Sequence, residues 1–230
     1  MIVNFGVRTA MSGFFGSSVG KKYLMGLTGL VWAGFVLAHM AGNLLIFVSA
    51  DAYNKYGHFL TSGYIIYVAE AVLVAALLTH IFCAISLTRQ NRAARPDKYA
   101  VSSGSSAKGS TLASRTMAVQ GTMILFFIIS HIITFKYGTY YETQVEGVAM
   151  RDLHRLVLEV FQQPVYVVWY VVCLILLGFH LSHGVGSVFQ SFGLLNPQIQ
   201  PTLKKLSYGY AIVVIAGFLS QPLYAFLLSK

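Results

Sequence analysis

Charge is what this sequence has least of. Only 10% of its 230 residues are Asp, Glu, Lys or Arg, against roughly 25% in a soluble domain. Hydrophobic residues make up 56%, and the mean hydropathy is +0.67. So few charges cannot coat a globule of this size with polar surface, which excludes a water-soluble fold. Acids are scarcer still, with seven Asp and Glu against sixteen Lys and Arg. In a soluble protein the resulting +9 would raise the question of nucleic acid; in a lipid-embedded chain it asks instead which side the cations occupy, so no nucleic-acid partner is expected. The two cysteines, Cys83 and Cys173, lie inside apolar runs with no CxxC spacing. That excludes a disulfide framework and a thiolate metal site and leaves both as small packing residues. The segment Met1 to Gly20 has one Arg and broken hydrophobicity, lacks the layout of a cleavable signal, and reads as an interfacial lead-in. No internal repeat is convincing.

Long apolar runs, by contrast, are plentiful. A helix needs about 20 apolar residues to cross about 30 Å of hydrocarbon, and five stretches meet that length, at approximately 23–48, 64–88, 117–136, 164–190 and 207–228. They are too long and too weakly alternating for barrel strands, and only helices satisfy their own backbone in lipid. The expected fold class is all-α, an integral membrane bundle of five transmembrane helices forming one membrane domain over 1–230. Between the spans, Arg8, Lys21, Lys22, Arg89, Arg92, Arg95, Lys98, Lys108, Arg115, Lys204 and Lys205 share one side with the single acid Asp97. The other side balances Lys55, Lys136, Arg151, Arg155 and Lys230 against Asp51, Glu142, Glu146, Asp152 and Glu159. Positive residues stay inside, so the N-terminus is expected in the cytoplasm and the C-terminus outside. The stretch 89–116, with its basic cluster and its SSGSSAKGSTLAS tract, reads as a flexible cytoplasmic loop. On the outer side VAMRDLHRLVLEVFQ spaces Ala149, Leu153, Leu156, Val157, Val160 and Phe161 as an amphipathic surface helix at about 148–162.

Four of the seven histidines fall inside spans. His39, His80, His131 and His180 occupy the first four in turn, and the fifth has none. Ionisable residues within a membrane are costly and usually face the bundle interior with a function. At 1.5 Å per residue His39 lies about 25 Å above Lys22, and His131 about 24 Å above Arg115. His80 lies about 24 Å below Tyr64, and His180 about 24 Å below Pro164. Two imidazoles in the outer half and two in the inner half, on different helices, match the need of two stacked bis-histidine haems that carry electrons and leave no axial position for oxygen. Gly34 and Gly42 flank His39, while Gly178, Gly184 and Gly186 surround His180, and such small residues let a porphyrin approach. His183, three residues after His180 on nearly the same face, is the alternative ligand, with a propionate contact as its other reading. Depth favours His180.

These residues sit in stretches that resemble a known family over nearly the whole chain. SSVGKKYLMGLTGL enters the first span, HMAGNLLIF surrounds His39, YNKYGHFL follows it, SHIITFKYG surrounds His131, and FHLSHGVGSVFQSFGL carries His180. Together with His80 late in the second span, they resemble the cytochrome b subunit of succinate dehydrogenase and fumarate reductase, in the five-helix dihaem class called the cytochrome b558 family. The resemblance implies two haem b groups. His80 and His180 would be axial ligands of the proximal one and His39 and His131 of the distal one. It matches His180 rather than His183 to the family's ligand.

It further implies that the chain is the haem- and quinone-binding part of a multi-subunit oxidoreductase, multi-pass in a bacterial inner membrane. Covalent FAD and iron–sulfur clusters would lie in partner flavoprotein and iron–sulfur subunits on the cytoplasmic side, and this chain would hold no dicarboxylate active site and no catalytic residue of its own. The basic face suits docking of a soluble subunit, and equally contact with anionic lipid. The family's quinone, here menaquinone by the same resemblance, would be met near the distal haem, where Glu70, His58, Tyr67 and His154 are the polar candidates. Glu70 has the best physical case, as an acid just inside a span. An acidic residue two positions before the fourth-helix ligand, present in some members, is Gly178 here. The cytochrome b subunit of a hydrogenase or formate dehydrogenase is the alternative electron-transfer reading, and a proton-coupled transporter the alternative of another class; the histidine-free fifth span and the scarcity of paired acids argue against them.

Overall fold

The computed structural model describes residues 13–94 and 111–227. Arg8, Arg95, Asp97, Lys98, Lys108 and Lys230, the lead-in before residue 13 and the centre of the 89–116 loop lie outside the described residues. In chain order the helices are α1 (Ser18–Asn43), α2 (Ala50–Thr61), α3 (Ile65–Ala93), the single turn α4 (Leu112–Arg115), α5 (Met117–His131), α6 (Leu153–Phe161), α7 (Pro164–Ser191) and α8 (Gln200–Leu227). A 3-10 turn over Leu44–Phe47 prolongs α1, and a π turn over Ile132–Lys136 prolongs α5. With those extensions α1, α3, α5, α7 and α8 are long and apolar enough to cross a membrane. The protein is an all-α membrane bundle of five spans.

Local chemistry sets the ends of the helices. Ser17 caps α1 by accepting from the Gly20 amide at 3.0 Å, so the first span starts five residues before its apolar run does. Pro164 begins α7, where its missing N–H costs nothing. That helix closes on Gly193 at φ +72, with the Leu194 amide donating to the Phe189 carbonyl at 3.0 Å and the Gly193 amide to the Gln190 carbonyl at 3.1 Å. This is the Schellman arrangement, and it accounts for the Phe-Gly pair at the end of FHLSHGVGSVFQSFGL. The fifth span starts at Gln200, seven residues before its apolar run, because a helix continues through Lys204 and Lys205 where hydropathy does not.

The first span packs against the second, fourth and fifth, the fourth against the fifth, and the third against the fourth. With no hydrophobic drive between helices in lipid, small residues are what allow close approach. A Cβ at Gly178 would meet the Ile215 side chain at 3.0 Å, one at Gly186 would meet Ser207 Oγ at 2.9 Å, and one at Gly217 would run into Met40. Gly42 lies against Tyr56 in the same way. Gly42, Gly178 and Gly186 therefore serve packing, whereas Gly34 and Gly184 have nothing within 4 Å. Outward faces carry exposed Leu, Val, Ile and Phe, as lipid contact requires.

One end of the bundle is basic and the other is capped. Lys21, Lys22, Arg89, Arg92, Arg115, Lys204 and Lys205 are the described basic residues at the first end. At the second, α2 and α6 pack together over the span ends, and the main core lies beneath them, formed by Ile46, Tyr53, Val157, Phe161, Val167, Tyr170, Leu174 and Ala225. The amphipathic surface helix expected over 148–162 is corrected here. Residues Glu142–Val145 and Val148–Arg151 form an antiparallel hairpin, and only Leu153–Phe161 is helical. Ala149 is thus an exposed strand residue, while Leu156, Val157 and Phe161 are buried in the core rather than set against lipid. The two-residue turn Glu146–Gly147 has positive φ at both positions (53° and 79°), which joins strands with the native twist. Glu146 is held there by Lys55 of α2, 2.5 Å away, and Asp152 starts α6 by accepting from the Arg155 amide at 3.0 Å.

Candidate functional site

The four intramembrane histidines stand in two facing pairs. The rings of His39 on α1 and His131 at the end of α5 have centroids 5.7 Å apart and are perpendicular, at 89°. Those of His80 on α3 and His180 on α7 lie 6.4 Å apart at 59°. The level of the second pair can be read on the other two spans. A Cβ at Gly29 of α1 would be 3.5 Å from His80 Cε1, and one at Gly121 of α5 would be 3.8 Å from His180 Cε1. Gly29 is ten residues before His39 and Gly121 ten before His131, so both spans put the pairs about 15 Å apart along the bundle.

Imidazoles bound through Nε2 at about 2.0 Å on opposite sides of a metal would have centroids roughly 6.3 Å apart; the His80–His180 pair at 6.4 Å matches that spacing, and the His39–His131 pair at 5.7 Å is closer, within the range of edge-to-face ring packing. The walls are apolar: Phe35 stacks on His39 at 5.3 Å, and Phe127 and Phe135 flank His131 at 5.8 and 5.3 Å. Among the described residues, buried side-chain atoms without a hydrogen-bond partner are Trp32 Nε1, Gln120 Oε1, Arg151 Nε and His180 Nδ1. Three of those four belong to spans, where an unmet polar atom is most costly.

What occupies Nδ1 decides whether Nε2 can ligate. His80 Nδ1 lies 3.2 Å from the Met25 carbonyl, which can only accept, so Nδ1 carries the proton and Nε2 keeps its lone pair. The Thr28 hydroxyl is also 3.2 Å from that nitrogen, and it donates to the Leu24 carbonyl at 2.8 Å. His131 Nδ1 is 3.1 Å from the Tyr170 hydroxyl. At His39 the neighbour is a donor. Asn43 Nδ2 sits 3.4 Å from Nδ1 and donates to the His39 carbonyl at 2.8 Å, while Asn43 Oδ1 accepts from the Tyr53 hydroxyl at 2.6 Å. Ligation through His39 Nε2 puts the proton on Nδ1, where Asn43 Nδ2 offers no acceptor; turning the amide would set Oδ1 against the His39 carbonyl that Nδ2 now bonds.

The remaining candidates belong to neither pair. His183 is half-buried one turn nearer the basic end, and the ring facing His80 is that of His180. Glu70 forms an ion pair with Lys136 of the π turn, both side chains being partly exposed on the outer face of the bundle. Tyr67 on the same span is largely exposed. His58 lies in the last turn of α2. His154 belongs to the cap, where its amide donates to the buried Asn54 Oδ1 at 2.9 Å, Asn54 Nδ2 donates to Asp152 at 2.9 Å, and its ring meets Tyr53 edge-on at 6.2 Å. Burial pushes the Tyr53 phenol up from its ordinary range. No hydrogen bond or ion pair among the described residues joins His58 or His154 to Glu70, while Tyr67, three residues earlier on α3, shares its face of that helix. Cys83 and Cys173 are fully buried.

Compared with family models, with curated proteins and with solved structures, the chain matches none.

Tyr170, Thr28 and Asn43 are the neighbours that sequence reading passes over. Asn43 left a trace, lying one helical turn from His39. Tyr170 left none, since a tyrosine near a span end reads as an interfacial anchor.

Proposed function

We propose that this chain is the dihaem cytochrome b membrane anchor of a succinate:quinone oxidoreductase, passing electrons between an iron–sulfur subunit and membrane quinone. The observation that carries the reading is the two facing imidazole pairs, 5.7 and 6.4 Å between centroids, drawn from four different spans. Haem b bound at each pair supplies one-electron transfer without an open axial position. The choice of oxidoreductase rests on the sequence resemblance to the cytochrome b558 family.

In this reading His80 and His180 hold the proximal haem and His39 and His131 the distal one. The Met25 carbonyl keeps the proton on His80 Nδ1 and so presents its Nε2 lone pair. The phenylalanines around His39 and His131 exclude water from the distal pair. The basic end faces the cytoplasm of a bacterium, where Lys21, Lys22, Arg89, Arg92, Arg115, Lys204 and Lys205 attract the iron–sulfur and flavoprotein subunits; the flavin and clusters belong to those partners. Menaquinone is the expected quinone. Glu70 is the candidate proton-exchanging group for it, its charge kept in the membrane by Lys136.

The test is a reduced-minus-oxidised spectrum of the purified complex containing this chain, with haem and flavin quantified. Two haem b per chain and a co-purifying covalent flavin are expected; haem with a metal-hydrogenase partner instead would overturn the choice of oxidoreductase.

A further inference from the structure

We propose that Tyr170 is a positioning residue for the distal pair: its hydroxyl accepts a hydrogen bond from His131 Nδ1–H, which fixes the imidazole so that Nε2 faces His39. This rests on the dihaem reading and adds to it a residue outside the ligand set.

Tyr170 is 5% exposed. Its ring is held by Phe127 at 4.8 Å, Phe161 at 4.9 Å and Phe135 at 6.0 Å, all close to perpendicular at 77°, 83° and 85°. Edge-to-face contacts on several sides leave little freedom to swing the phenol aside. The hydroxyl then has a fixed place, 3.1 Å from His131 Nδ1. The bond runs either way with the tautomer of His131; with a metal on Nε2 the proton sits on Nδ1 and the hydroxyl accepts it. The adjacent residue repeats the device, since Trp169 Nε1 donates to Ser130 Oγ at 3.0 Å. Consecutive residues of α7 thus hold consecutive residues of α5, which sets the height of His131 against the fourth span.

The contrast with the other histidines sharpens the role. His180 Nδ1 has no partner among the described residues, and His39 faces the amide of Asn43. In the distal pair, therefore, Tyr170 alone among the described residues can accept from Nδ1–H of a ligand without rearrangement. An acceptor at Nδ1–H makes Nε2 a stronger donor and favours the oxidised metal. Removing it should favour the reduced state.

The test compares wild type, Tyr170→Phe and Trp169→Phe in the full haem-loaded complex by spectroelectrochemical titration that resolves the two haems. Tyr170→Phe should move one component to higher potential, by up to about tenfold in its redox equilibrium, or about 59 mV for one electron. The other component should stay in place, and Trp169→Phe should move neither. The role is overturned if Tyr170→Phe leaves both potentials unchanged, if it loses both haems together, or if Trp169→Phe produces the same shift. A wild type without haem bands sinks the dihaem reading and this role with it, whereas haem bands with unmoved potentials sink this role alone.

Discussion

At the scale of single residues, the chemistry depends on which nitrogen of each imidazole is left bare. The Met25 carbonyl frees Nε2 of His80, the Tyr170 hydroxyl is placed to free that of His131, and Asn43 offers His39 Nδ1 a donor rather than an acceptor. Alanine at His39 or His131 should remove one haem and leave the other, and alanine at His80 or His180 should do the converse. His183→Ala should retain both, and the pyridine haemochrome ratio of haem to protein reads each case. A dihaem ratio surviving any of the first four changes would contradict that ligand. Gly29 gives a steric version of the same test. Its Cβ position is 3.5 Å from His80 Cε1, so Gly29→Leu drives a branched side chain into the ring and should cost the proximal haem alone.

At the scale of elements, a π turn follows His131. The Tyr137 amide reaches back to the Ile132 carbonyl at 3.1 Å; within the turn Phe135, four residues after His131, packs against its ring, and Lys136 meets Glu70. Such turns recur at functional sites. Glu70→Gln should keep both haems and lower quinone reduction by roughly 100-fold, within the range for a lost general acid or base; turnover at the wild-type rate would show that the pair is structural. The hairpin has its own weak point. Gly147 has φ +79, and Gly147→Val should cost about 1–2 kcal/mol there, seen as a lower thermal midpoint of the cap with haem content unchanged.

The same elements explain what could be read in advance. Spans are visible because lipid demands some twenty apolar residues in a row, and the pairing levels of the histidines are visible because rise per residue is constant. The hairpin over 142–151 was hidden because its register depends on two positive φ angles and a distant Lys55. The boundaries of the first and fifth spans were hidden because caps and continuing backbone bonds, not hydropathy, end a helix. Tyr170 was hidden because its meaning lies in a neighbour thirty-nine positions away.

At the scale of the whole molecule, opposite ends differ in kind. One end presents the basic residues, and the other end is closed by α2, α6 and the hairpin over an aromatic core. Between them the two imidazole pairs lie about 15 Å apart along the bundle, by ten residues of rise on two separate spans. That arrangement suits electron movement along the membrane normal between a soluble partner at one end and quinone near the other. If the basic end docks its partner through charge, raising salt from 50 to 500 mM should release the soluble subunits while both haems remain; subunits retained throughout would assign those cations to topology and lipid.

The most direct measurement is the dithionite-reduced minus air-oxidised visible spectrum of the purified chain or complex, calibrated against protein. Low-spin b-type bands at two haems per chain are expected. A chain that purifies folded without those bands would contradict the assignment of the four histidines.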